Sequence, residues 1–229
     1  MATTQTYNFA PDAGQLVISA FARCGVRRTE ITTEHMADAR AELNYMMADW
    51  SASGVNLWQV DLQSVPLIQG QVTYTVPTST MFVLDAYISV DSGGATTDRL
   101  IFPLSRSDYA SLANKTMQGA PTSFWFDRLP NPLLYLWPVP DQTGYYTLNY
   151  YRAIQIQDSA LSNGAQPDVV FRYLDATMSG LAARLAIIYA PDRVQILAQE
   201  ATRSRITAIA GDTENTPVRI VPVMQGYYR

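Results

Sequence analysis

Glu34, His35 and Asp38 form the cluster along this chain whose side-chain types suit acid–base or metal chemistry. Glu34 and Asp38 are four residues apart, so on a helix they share one face. Two carboxylates so placed can hold a cation or divide the roles of acid and base. Acids near a helix N-terminus are also favoured by the helix dipole alone, and we read the group as a solvated helix face. The chain has one histidine and one cysteine, Cys24. Any His-based triad or His-containing metal site must therefore pass through His35, and no intrachain disulfide or multi-cysteine metal site can form. Cys24, before Gly25 at a helix end, reads as a small buried residue. The P-loop, the dinucleotide glycine pattern and the GxSxG elbow are missing. Asn114-Lys115-Thr116 matches a glycosylation sequon that means nothing without a secretory leader. No catalytic, cofactor-binding or metal-binding residue is assigned, and no cofactor is expected.

The remaining polar residues say more about partners than about reactions. The chain carries 16 basic and 20 acidic residues, a net charge of −4, where a protein built to grip nucleic acid shows a basic surplus. Trp125, Phe126, Tyr145, Tyr146, Tyr150 and Tyr151 lie on strand-like stretches and could stack on bases. Only Arg128 and Arg152 flank those rings, so a core and an interface are the preferred reading. Fifteen of the 16 basic residues are arginine, with Lys115 the one lysine, and arginine suits fixed bidentate contacts, a hint at assembly. Arg184, Arg193, Arg203 and Arg205 are spread around the last two helices. They are expected to pair with Asp192, Glu200 and neighbouring subunits. Charged residues make up 16% and hydrophobic residues 48%, against about 25% charged in an ordinary domain. That leaves a sizeable core and little surface charge.

The opening MATTQTYNFAPDAG has neither the basic nor the apolar region of a secretory signal. The most apolar stretch, residues 181–190, carries Arg184 and falls well short of the roughly 18 apolar residues of a membrane span. A soluble protein made in the cytoplasm, with no membrane partner, is expected.

The elements follow from period and punctuation. Asp12 caps a first helix through Leu16, Val17, Ala20 and Phe21, which Gly25 stops. A second helix opens at Thr32-Thr33, with Thr33 and Met36 at capping spacing but no acidic reciprocal partner. Its stripe is Met36, Ala39, Leu43, Met46, Met47 and Trp50, and Gly54 ends it. From Val55 to about Tyr151 the period becomes alternating. Strands are expected around Trp58–Leu62, Tyr74–Val76, Leu84–Val90, Phe124–Phe126, Leu134–Leu136 and Tyr146–Tyr150, with a short helix from Ser107 to Lys115. Six or seven short strands read as an antiparallel sandwich or small barrel. A third helix opens at Pro167-Asp168. After a break at Tyr189-Ala190-Pro191-Asp192 a fourth runs through Val194, Leu197, Ala198, Ala201 and Ile209 to Gly211.

The fold class is therefore α+β: a helical bundle from both ends of the chain, an inserted antiparallel β-sandwich or barrel-like domain, and an extended C-terminal tail. The units are residues 1–54, 55–160, 161–211 and 212–229. The tail, DTENTPVRIVPVMQGYYR, keeps apolar residues that a free terminus normally sheds. It is read as a strand or strap added to a partner protein.

Five stretches, in order, resemble the head-to-tail adaptor (connector) family of tailed bacteriophages, especially the short-tailed ones. LVISAFARCGV, from Leu16, is similar to the family's opening helix. AELNYMMADWSASGVNLW, residues 41–58, resembles its second helix with the Asp-Trp exit and the Gly-Val-x-Leu-Trp lead into a strand. SRSDYASLANKTMQGAP, residues 105–121, is similar to the mid-domain block Ser-Arg-x-Asp-Tyr, a lysine, then Gly-x-Pro. LYLWPVPD, residues 134–141, resembles the Trp-Pro-x-Pro strand end, and PDVVFRYLDATMSGLAARLA, residues 167–186, the third helix.

The resemblance implies a non-enzymatic virion protein at the head–tail interface. In that family the protein forms a ring, usually of twelve copies, beneath the portal protein. The ring extends the channel through which genomic double-stranded DNA passes without sequence-specific binding. It receives a nozzle or tail-tube protein, with tail fibres as further neighbours. The portal-docking segment maps here to Pro217, Val218, Arg219, Ile220, Val221, Pro222, Val223, Met224, Tyr227, Tyr228 and Arg229. The intersubunit candidates are Arg184, Arg193, Arg203 and Arg205. Two other classes stand beside this reading: a tail-associated cell-wall hydrolase using Glu34 and Asp38, and a single-strand nucleic-acid-binding module on the aromatic strands. A glycosidase needs its carboxyls facing across a cleft, which neighbours on one helix do not provide.

Overall fold

A computed structural model describes residues 9–54, 56–91, 95–160 and 164–213. The tail segment 217–229 lies outside the described residues. Helix α1 spans Ala13–Cys24, and the Asp12 carboxylate accepts a hydrogen bond from the Gln15 N–H at 2.7 Å. Gly25 ends it at φ 89°, a left-handed conformation that a side chain resists. Helix α2 spans Thr33–Ala52, and its cap differs from the sequence expectation. Thr32 is the capping residue, and its reciprocal partner is His35 rather than an acid. The Thr32 N–H donates to His35 Nδ1 at 3.2 Å, and the His35 N–H donates to Thr32 Oγ1 at 3.4 Å. An imidazole acceptor at the third helical position does what Glu or Gln does in the usual box.

Seven strands follow: β1 (Val60–Pro66), β2 (Thr73–Thr75), β3 (Thr80–Asp91), β4 (Thr96–Pro103), β5 (Ser123–Asp127), β6 (Leu133–Trp137) and β7 (Tyr146–Ile154). A short helix α3, Arg106–Ser111, separates β4 from β5, capped by Ser105. The strands form one sheet in the order β1-β7-β3-β4-β5-β6-β2, curled into a half-barrel. This departs from the expected all-antiparallel sandwich or barrel. The β4–β5 pair is parallel and short, joining Phe102 to Ser123 and Pro103 to Phe124. Curling brings one face of the sheet around its own apolar core, which includes Ile88, Ile101, Phe124, Leu136, Leu148 and Tyr150. Strand β4 escaped the sequence reading because seven of its eight residues are exposed, Ile101 excepted, so it shows no alternation.

The chain then returns to helices: α4 (Leu174–Tyr189) and α5 (Val194–Ala210), each led in by a 3-10 turn. Helix α4 starts later than Pro167-Asp168 implies. The Asp168 carboxylate accepts from Gln59 Nε2 at 2.9 Å and from the Gln157 N–H at 3.0 Å, so it ties loops together rather than capping a helix. A second apolar core joins α1, α2, α4 and α5 through Phe21, Leu43, Met47, Leu181, Leu185 and Leu197. Gly180 lies where α4 crosses α2, and a Cβ there would meet Met46 Sδ at 2.6 Å.

Gly180→Val is therefore expected to cost about 1–3 kcal/mol through overpacking. The thermal midpoint should fall by about 2–4 °C per kcal/mol for a chain of this size. Calorimetry checks this, and Met46→Ala in the same chain should recover part of the loss.

Candidate assembly surfaces

The structure spends the acid–histidine cluster on holding helices together. His35 stacks on Tyr189 at 4.6 Å between ring centroids, and Phe21 meets its edge at 5.4 Å. The Tyr189 hydroxyl donates to the Asp38 carboxylate. That hydrogen bond, then burial and the nearby charges of Asp38 and Glu34, push the Tyr189 pKa up to about 12. The group thus pins the start of α2 to the end of α4. Among the described residues no three His, Cys, Asp or Glu side chains are placed to hold a metal. Cys24 is buried with its thiol donating to the Ala182 carbonyl at 3.4 Å, and burial pushes its pKa up.

Most of the candidate stacking rings are used in packing as well, Tyr151 excepted at 40% exposed. Tyr146 and Tyr150 are buried in the β core. Trp125 stacks between Tyr109 of α3 and Tyr135 of β6, at 5.1 and 4.6 Å. Arg152, 8% exposed, gives the Nε–Nη2 edge of its guanidinium to Asp61 at 2.7 and 2.9 Å and a further bond from Nη1 to Thr80 Oγ1. Arg128 sits over the Phe82 ring at 4.5 Å. Neither the hydrolase nor the single-strand reading gains support from this geometry.

All four candidate intersubunit arginines find partners in their own chain. Arg184 reaches Glu42 at 3.5 Å and Asp49 at 3.6 Å. Arg193 donates to the Arg23 carbonyl at 3.1 Å beneath Gly25, where a Cβ would touch its guanidinium. Arg205 lies over the Trp50 ring, with Asp49 at 3.7 Å and Ser53 Oγ at 2.5 Å. Arg203 has a side chain 76% exposed, and its partner is Glu200 on the same helix, at 2.8 Å.

Around Arg203 lies a surface that the sequence reading missed. Helix α5 buries Leu197, Ser204 and Ala208, and its opposite face exposes Ile196 and Ile206 at 71% and 63%. Ile209, near the end of the helix, is exposed too. At 100° per residue Ile196, Gln199, Arg203 and Ile206 share one side. The signal was present in the spacing but was masked by attention to the inner apolar residues. A helix face turned to water normally carries charge; this one carries branched aliphatics and one Glu–Arg pair.

Comparison with known proteins decides the class. The family model described as SU10 adaptor protein matches residues 11–221, nearly the whole chain. The chain belongs to that adaptor family. It is a phage head-to-tail adaptor, a structural protein of the virion, as the collinear blocks implied. No curated protein matches the chain. No helix among the described residues is long and apolar enough to cross a membrane.

In the adaptor the root of the C-terminal tail is built into the fold. The Asp212 carboxylate, 3% exposed at its side chain, accepts from the Leu57 N–H at 3.0 Å and from Arg172 Nε at 2.8 Å. The folded part thus runs through Asp212, which ties the end of α5 to the lead into β1 and to the turn before α4.

The raised phenol pKa has a pH consequence. A neutral Tyr189 is favoured in the fold, so its contribution is complete below the unfolded value near 10 and is lost as pH rises through about 12. Urea midpoints should fall between about pH 10 and about pH 12, and Tyr189→Phe should fall less steeply.

Proposed function

We propose that this adaptor forms a closed ring, of twelve copies, between the portal protein and the tail of a short-tailed phage. The observation that carries the ring is the α5 face of Ile196, Arg203 and Ile206. A ring needs each copy to offer two different surfaces that close by rotation, and an apolar helix face with little charge is suited to be one of them. Arg203 makes the intersubunit contact in this reading, while Arg184, Arg193 and Arg205 hold the frame that presents it. Residues 1–54 and 161–211 act as one helical unit and residues 55–160 as a second, β-rich one.

The C-terminal segment, Pro217 to Arg229, docks on the portal. Its apolar residues and its launch from a fixed root at Asp212 support this role. The ring continues the DNA channel, and a net charge of −4 suits a passage through which DNA slides without being held. A nozzle or tail-tube protein, with tail fibres beyond it, occupies the other side. The adaptor carries out no reaction in this reading.

Co-sedimentation with the portal ring tests the docking. The full chain should pellet with it, and a chain ending at Thr213, which keeps the Asp212 clasp, should stay in solution. Pelleting of both would move the dock to the helices; pelleting of neither would remove the portal as partner. For the ring, Ile206→Asp should leave stability within about 0.5 kcal/mol, as surface changes do, yet abolish the large species in sedimentation velocity.

A further inference from the structure

An apolar groove of about 300 Å³ opens between α1 and the start of α4. Phe9, Leu16, Phe171, Leu174 and Met178 line it, and Asp175 is the charged residue on its wall. Past Phe171 it continues into a second hollow of about 220 Å³ beside Pro167 and Val169. Phe9 and Phe171 are each 71% exposed. Two phenyl rings flanking an elongated groove are a costly surface to leave in water.

We propose that the C-terminal segment of the same chain, residues 217–224, lies in this groove when the adaptor is free. Three observations point to that occupant. The first is position: Asp212 is clasped by Arg172, the residue that follows the groove wall Phe171 in the chain. The tail root, which lines a neighbouring hollow with Trp50 and Tyr173, is therefore tied to the turn that carries Phe171, and the five steps from Thr213 to Val218 span up to about 17 Å when extended. The second is chemistry. Val218, Ile220, Val221, Val223 and Met224 supply an apolar strip whose two prolines favour an extended backbone. The third is charge. From Pro217 onward the chain has Arg219 and Arg229 and no acid, against a groove whose charged wall residue is Asp175, which pairs with Arg23 at 3.5 Å and keeps 61% of its side chain exposed to accept a further cation.

A seat on its own chain hides the tail's apolar residues from other copies until assembly, and the short tether makes that contact effectively concentrated, in the millimolar range. The contact is independent of what the tail binds in the particle.

Oxidation of Met178 by dilute peroxide, read residue by residue by mass spectrometry on the full chain, tests it. With the groove filled, Met178 should be protected. Replacing Ile220, Val221 and Val223 together by aspartate should raise its oxidation rate about fivefold as the tether loses its hold. Met117, exposed and remote in the β part of the chain, should oxidise at one rate in both proteins, reporting that neither has unfolded. Asp175→Arg in the full chain should likewise release Met178, with an unchanged circular dichroism spectrum. Equal Met178 rates in the parent and the triple variant would overturn the proposal and give the groove to another segment. Protection that disappears on dilution would also overturn it, assigning the groove to the tail of a second copy.

Discussion

Burial of α4 against helices from the far end of the chain is the contact on which the rest depends. Leu181, Ala182, Leu185 and Ala186 are wholly buried, and α4 packs on α1, α2 and α5. Each fully buried leucine contributes about 1.5–3 kcal/mol relative to exposure. Helices α1 and α2 meet through the Phe21–His35 edge contact, and the further cover of Phe21, Leu43 and Met47 arrives with residues 174–189. The intervening sheet must therefore leave and return at one place, because otherwise the apolar stripes at the two ends of the chain could not meet. The α5 face, the tail root and the Phe9 groove all take their positions from the same helix.

A small set of polar bonds fixes where the sheet joins the helices. The Ile156 N–H, just after β7, donates to Ser51 Oγ in α2 at 3.1 Å, and the Ser159 N–H donates to Asn44 Oδ1 at 2.9 Å. Asp168 collects donors from the start of β1 and the segment after β7, and Asp212 from the turn before β1 and the turn before α4. Irregular backbone at a core boundary has no ladder to satisfy it, so side chains must do so. These bonds are specific in direction where apolar packing is not.

That division explains what could be read in the sequence. Helix α1 was legible to the residue, because Asp12 and Gly25 act locally through a cap and a left-handed turn. The break at Pro191 and the end of α5 were legible for the same reason. The parallel joint between β4 and β5 was not, since strand pairing is decided across the fold, and β4 exposes almost all of its side chains. Asp168 next to Pro167 looked like a helix cap, and its carboxylate is instead used by residues about a hundred positions earlier and about ten earlier. His35 was read as part of a solvated helix face and is instead a cap stacked on Tyr189, because its Nδ1 sits where an acid's oxygen would. Ile196 and Ile206 were hidden by their helix: the inner stripe fulfils the pattern sought, and nothing in a period count asks what the other face is for.

The arginine bias shows the limit of compositional inference. Fifteen arginines against one lysine suggested a surface made for neighbours. Yet Arg23 bonds Ser179, Arg99 bonds the Pro121 carbonyl, and Arg152, Arg172, Arg184, Arg193 and Arg205 all hold partners within the chain. Planar guanidinium groups are used here to brace helices and strands, so the bias describes the frame rather than its contacts. The case for assembly rests instead on where apolar residues were kept in spite of water. A helix that buries one face gains nothing in stability from isoleucine on the other, and a family that works by fitting proteins together gives such a face a use. In this adaptor the inner faces hold the subunit, and the outer face of α5, like the exposed rings of Phe9 and Phe171, is apolar surface that its own fold does not require.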